Sequence, residues 1–212
     1  MRRRLAALAV TATAVVMGVA FSVGPAKADT VIDAVYPVSG STYINATQSA
    51  LDLGPGTLST AIDLSAGDSI TGTVALPAST GSFSALGFVP VTATVKLIPV
   101  GETTGSLVSG ALTDGEVSAT SKFTIQITNM VVAGLEVPPG PLCETATPAT
   151  ITVTSPSDFN ATLGGTLTGT YTIPDFLSCG PLGVDTLAVN ALIPGPGNTI
   201  SLTLGTPALS AG

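Results

Sequence analysis

The chain has 212 residues, of which 45% are hydrophobic and only 9% charged, and it contains no histidine and no tryptophan. The low charge and high apolar content exclude ordinary disorder, which combines high charge with few apolar side chains. The length suits one domain of ordinary size or two small ones.

Met1-Arg2-Arg3-Arg4 is a basic n-region, residues 5–23 are an apolar run, and Ala26-Lys27-Ala28 is an A-x-A site. Together they read as a secretory signal peptide over 1–28, cleaved after Ala28. The run approaches bilayer-spanning length, but Gly18, Gly24 and Pro25 argue for cleavage over anchoring. No second long apolar run follows, so no transmembrane anchor is expected once the signal is removed, and the mature chain is expected to be extracellular or held in the cell envelope. Beyond residue 28 only Lys96 and Lys122 stand against thirteen carboxylates, a formal charge of −11. Such an acidic, arginine-free chain has no footprint for a phosphate backbone, which excludes nucleic acid as a partner.

From there on the chain reads as strands. Leu58, Thr60, Ile62 and Leu64 alternate with Thr57, Ser59, Ala61 and Asp63, the period of two of a half-buried strand. Gly67-Asp-Ser-Ile-Thr-Gly-Thr-Val-Ala-Leu-Pro77 follows, then an expected loop at Ala78–Gly87. Val91, Ala93, Val95 and Leu97 then alternate with Thr92, Thr94, Lys96 and Ile98. In Lys122–Val131 the spacing sets Phe123, Ile125, Ile127 and Val131 on one face and Lys122, Thr124, Gln126 and Thr128 on the other. Ile151 with Val153, the stretch Gly164–Pro174, and Ile200, Leu202 and Leu204 mark further strands. No window of a dozen residues carries a helical apolar period, and Thr, Val and Gly suit pleated strands and tight turns.

Gly164-Gly-Thr-Leu-Thr-Gly-Thr-Tyr-Thr-Ile-Pro174 repeats the pattern of Gly67–Pro77, 97 positions on. Leu86–Pro99 also lines up with Leu182–Pro194, each ending in Leu-Ile-Pro. Two halves, 45–112 and 143–210, within one secreted unit spanning 29–212 account for this. Composition alone also makes Thr/Gly-rich strands resemble one another. The expected fold is all-β, an antiparallel sandwich or barrel with an internal two-fold duplication, because solenoid units are shorter and more numerous.

Cys143 and Cys179 are the only cysteines. In an exported chain they are expected to form a structural disulfide, since no histidine exists and no arginine or lysine is near them in sequence to activate a thiol. Without histidine, serine–histidine and cysteine–histidine catalysis are excluded, and no G-x-S-x-G elbow occurs. Lys122 follows Ser121 without the S-x-x-K spacing and reads as an outward strand position. Asp68 and Asp185 lack the Asp-Thr/Ser-Gly form of an aspartic protease. Sugar-cleaving carboxylates would want aromatic platforms, and beyond residue 28 the chain has no tryptophan and only eight aromatic residues. The oxygens of Asp63 with Asp68, or Asp114 with Glu116, do not match a calcium loop and read as solvated turns. No enzyme activity, no cofactor and no metal is expected.

Val35–Thr42, Gly81–Val95, Gly164–Pro174 and Ile193–Leu204 resemble segments of uncharacterised exported β-rich proteins of actinobacteria, which carry no assigned function. The resemblance implies an origin and a compartment, with no activity or site residues. Two functional classes remain. One is a non-catalytic envelope or extracellular module that binds an apolar molecule such as a lipid, with Phe123, Ile125, Leu167 and Tyr171 lining an enclosed cavity. The alternative is a structural or adhesion-type surface protein whose Thr-rich faces meet a protein or glycan, with those same four side chains packed solidly between sheets.

Overall fold

The computed structural model describes residues 31–65, 68–107, 113, 115–183 and 185–211. The signal peptide read at 1–28 and the Asp114 of the weighed calcium pair lie outside the described residues. The chain opens with β1 (Val31–Ile44), β2 (Ser49–Asp63), β3 (Ser69–Ala75), β4 (Ser79–Ala85), β5 (Val89–Pro99) and β6 (Thr103–Leu107). It continues with β7 (Val117–Val132), β8 (Leu135–Glu136), β9 (Glu144–Thr145), β10 (Ala149–Thr154), β11 (Gly165–Ile173) and β12 (Phe176–Leu177). A short helix α1 (Thr186–Leu192) precedes β13 (Gly195–Leu204) and β14 (Ala208–Ala211).

Eight strands close an antiparallel barrel in the order β10-β11-β13-β1-β2-β3-β6-β7, with the β10–β7 ladder completing the ring. The all-β expectation therefore holds in its barrel form. Barrel strands that follow one another in sequence are neighbours in space. Thus β1-β2-β3-β6 form one four-strand meander and β7-β10-β11-β13 form another on the opposite side. The repeated motif occupies the third strand of each, β3 and β11. Each meander begins a strand earlier than the stretches 45–112 and 143–210. Between its third and fourth strands each carries an insertion, and the antiparallel strand directions put both at one end, here called the top. The first insertion is the β4–β5 hairpin, and the second is β12 with α1. The segments Leu86–Pro99 and Leu182–Pro194 thus sit in equivalent insertions but fold differently, the first mostly as β5 and the second around α1.

Paired residues traced round the ring from Tyr43 are Thr199, Thr170, Thr152, Thr120, Thr104, Thr71 and Ala61. The walk re-enters β1 at Asp33, ten residues from where it began. A stagger of that size on eight strands goes with strands tilted by about 35–45°, and leaves an interior that side chains fill or that holds one small ligand. The six threonines in a row are the outward face that the alternation predicts; Thr120 and Thr152 are linked through their hydroxyls at 2.9 Å.

The inward face carries glycine where strands crowd. Gly40, Gly72, Gly105 and Gly169 each lie between inward-facing buried residues, and each has a hydroxyl residue on both sides in sequence. A β-carbon at any of them would collide with a carbonyl of the neighbouring strand, for Gly169 that of Thr152. The glycine of the repeated motif, Gly72 in one copy and Gly169 in the other, is thus required by close strand approach. Gly169→Ala is expected to lower stability by about 1–3 kcal/mol in urea unfolding, as overpacking does. Exposed Thr170→Ala should stay within about 0.5 kcal/mol.

Two details differ from the sequence reading. The loop expected at Ala78–Gly87 is instead β4, paired with β5 from Ser79 opposite Val95 to Ala85 opposite Val89. Val131 does not share the face of Phe123, Ile125 and Ile127. The ladder to β5 shifts register between Thr94 and Val95, so that Ala93 pairs with Met130 and Val91 with Val132. A bulge of this kind moves the following side chains to the other face.

Candidate functional site

The top of the barrel differs from the bottom because its strands differ in length. β2 and β7 have 15 and 16 residues, whereas β3 and β6 have 7 and 5. β3 reaches only Thr57–Asp63 of β2, and β6 only Val117–Thr120 of β7. Above that level the wall is completed by the inserted hairpin. β5 pairs with β7 from Phe123 to Val132, and β4 pairs with β5. The remaining edge of β4 faces the first half of β2: a β-carbon on Gly81 would stand 3.0 Å from Leu51 Cδ1 and 3.6 Å from the Ala50 carbonyl oxygen. Yet among the described residues no ladder joins β2 to β4. The upper wall therefore has a seam.

The second insertion is fastened down. Cys143, in the β7–β10 connection, is bonded to Cys179 in the insertion, as the sequence reading expects. The Ile127 backbone N–H donates to the Cys143 carbonyl at 2.9 Å. β12 pairs with β9. From α1, Asn190 accepts from the Phe176 N–H at 2.7 Å and donates to its carbonyl at 3.0 Å. Thr186 accepts from the Cys179 N–H at 2.9 Å.

Between the two insertions and the barrel top lies a void of about 80 Å³. Its wall combines Leu51 and Leu53 of β2, Phe83 of β4, Ala93, Val95 and Leu97 of β5, Ile125 and Ile127 of β7, and Ile173, Phe176 and Ile193 near the second insertion. A smaller void of about 40 Å³ lies in the lower barrel among Tyr36, Ile70, Leu107, Phe159, Leu167 and Leu204. Gly40 separates Val38 from Thr42, and Gly169 separates Leu167 from Tyr171, so the crowded glycine level divides the two voids. Of the four residues expected to line a ligand cavity, Ile125 and Tyr171 do so in the upper void. Leu167 lines the lower one, and Phe123 is buried while lining neither. Sequence reasoning missed the contributions of Phe83, Phe176 and Ile193. Phe83 sits in what reads as a loop, and the other two belong to an irregular insertion.

The upper wall contains two polar pairs, Thr47 with Ser49 at 2.7 Å near the groove and Thr42 with Tyr171 deeper in. The Thr42 hydroxyl donates to the Thr199 carbonyl at 2.8 Å, so its single proton is committed, and the Tyr171 hydroxyl, 2.8 Å away, is the donor to Thr42 Oγ1. Nearby, buried Asn198 accepts from the Asn45 N–H and donates to the carbonyls of Tyr171 and Gly195. No buried side-chain polar atom among the described residues lacks a partner. The void therefore presents apolar surface and no unmet hydrogen bond.

Burial raises the pKa of the Tyr171 phenol above the ordinary 10.0. Burial likewise raises that of Tyr36, whose hydroxyl donates to the Ala161 carbonyl at 2.7 Å. The unfolded chain thus ionises first. The stability these phenols confer is full below the unfolded value near 10.0 and is lost as pH rises through their folded values. The double variant Tyr36→Phe/Tyr171→Phe is expected to show a shallower alkaline fall in urea-unfolding free energy than the parent. Equal slopes would contradict this.

Outside the seam, a surface groove runs along Thr47, Gln48, Ser49 and Ala50 on one side and Ser82, Phe83, Ser84 and Leu86 on the other, with Leu192 of α1 also in its lining. Thr47, Ser49, Ala50 and Phe83 line both this groove and the void within. No helix among the described residues is long and apolar enough to cross a membrane. Comparison with protein-family models, curated proteins and solved structures finds no match.

Proposed function

We propose that this is an exported, non-catalytic protein of the cell envelope or extracellular space that binds an apolar ligand, a lipid or similar molecule, at the top of its barrel. The observation that carries the reading is the upper void of about 80 Å³, walled by aliphatic and aromatic side chains whose few polar neighbours are already paired. A close-packed core has few voids larger than a water molecule, and apolar cavities that stay dry take up apolar guests. The Cys143–Cys179 disulfide agrees with an oxidising compartment, and the segmental resemblance to exported actinobacterial proteins agrees with export.

The test is binding of xenon and of a short alkane, followed through methyl NMR shifts of Ile125, Ile127 and Ile173. The parent is expected to respond saturably. Ala93→Leu, which pushes a larger side chain into the void, is expected to lose the response while its melting temperature holds or rises. An absent response in the parent, or an equal one in the variant, would contradict the reading.

The structural or adhesion reading draws on a different observation, the hydroxyl rows on the outer face. Thr152, Thr154, Thr168, Thr170, Thr199 and Ser201 line a shallow outer groove suited to a glycan or protein partner. Capture of such a partner, abolished by Thr152→Lys/Thr170→Lys with the alkane response intact, would favour this second reading.

A further inference from the structure

We propose that the groove outside the β2–β4 seam and the void behind it are one site, and that its ligand is a single-chain amphiphile with an uncharged, hydrogen-bonding head. The end of the chain enters between the strands past Phe83, and the head and the rest of the chain lie along the groove. This rests on the apolar-ligand reading above and adds the ligand class and the route.

Four observations carry it. First, groove and void share Thr47, Ser49, Ala50 and Phe83, so a thin wall separates them, and half-buried Phe83 is its largest side chain. Second, that wall is a seam without a backbone ladder between β2 and β4. Parting these strands breaks no interstrand ladder, whereas opening the other upper-wall contacts between paired strands would. The second insertion, whose Leu192 reaches the same groove, is fastened separately by its disulfide.

Third, the groove is uncharged and sets hydrogen-bonding groups among the apolar side chains of Phe83, Leu86 and Leu192. It offers Gln48, the Thr47–Ser49 hydroxyl pair at 2.7 Å, and the hydroxyls of Ser82 and Ser84, with no ionisable side chain in its lining. A charged head would lose hydration there without gaining a counter-charge, whereas a hydroxylated head exchanges water for hydroxyl and amide partners. Fourth, the void is about 80 Å³, roughly half the ~150 Å³ of an apolar cavity that takes up benzene. It fits the end of one hydrocarbon chain and not a fused ring system or two chains.

The experiment measures binding of dodecyl maltoside, dodecyl sulfate and dodecyltrimethylammonium, each below its micellar concentration, by titration calorimetry and stopped-flow. The maltoside is expected to bind one-to-one and about tenfold or more tighter than either charged probe. Phe83→Ala is expected to speed maltoside association several-fold. Ser84→Lys, an exposed change at the groove, is expected to strengthen dodecyl sulfate binding about tenfold.

Equal affinity for all three heads, or a Ser84→Lys variant without effect on the sulfate, would overturn the head-group class and leave the apolar-cavity reading standing. Unchanged association in a folded Phe83→Ala variant would overturn the route. Failure of every dodecyl probe together with a saturable xenon response would overturn the amphiphile alone, and failure of both would overturn the parent reading as well.

Discussion

Replacing both half-cystines, Cys143→Ala with Cys179→Ala, is expected to lower the unfolding free energy by about 4 kcal/mol, the loop-closure entropy of a cross-link of this span. The bond closes a loop 36 residues apart, and both sulfur-bearing residues are buried, at 0% and 1% exposure. The loss should be uneven. The bond joins two connections at the barrel top, whereas the lower barrel is held by continuous ladders from β10 round to β7. Hydrogen exchange in the variant is therefore expected to rise first at 143–145 and 176–193, with β3, β6 and the lower half of β2 still protected. A urea-unfolding change below about 1 kcal/mol, or exchange rising evenly over the barrel, would contradict this assignment.

Phe176→Ala is expected to cost about 3–5 kcal/mol, the usual range for deleting a buried aromatic ring. Phe176 is 1% exposed and lines the upper void, and Asn190 fixes both of its backbone groups. The backbone clamp hinders collapse of the site, so the ring's volume should add to the void. This variant separates two properties that usually move together: it should melt lower than the parent and yet accept a bulkier apolar guest. A small stability loss with an unchanged guest preference would show that the surroundings close over the gap.

Much of this architecture is legible in the sequence because an exposed strand face selects Thr and a buried one selects Val, Ile and Leu. The alternations at Leu58–Leu64, Val91–Leu97 and Phe123–Ile127 correspond to β2, β5 and β7 for that reason. β4 escaped because its inward residues are Ser79, Gly81, Phe83 and Ala85 and its outward ones Thr80, Ser82 and Ser84. Contrast between the faces is low, and Ser with Gly reads as a turn. α1 escaped because seven residues are too few for a helical period to show.

The site was legible only by face. Alternation places Phe123, Ile125, Leu167 and Tyr171 inward but does not say at which level of the barrel each one sits, and the level decides which void a side chain lines. The seam is a relation between β2 and β4, which pair with other strands, and so leaves no local signal in either segment. The motif glycines are a middle case. Their recurrence is visible in the sequence, whereas its cause, the neighbouring carbonyl beside Gly72 and Gly169, is visible only once the strands are paired.

Native mass spectrometry of the mature protein from its own kind of host, before and after organic extraction, tests the central claim most directly. The expected result is a stoichiometric apolar or amphiphilic adduct that extraction removes and that a nonionic single-chain amphiphile replaces. The contradicting result is the bare disulfide-bonded mass throughout, as isolated and after incubation with excess amphiphile, which would make the barrel top a solid structural element.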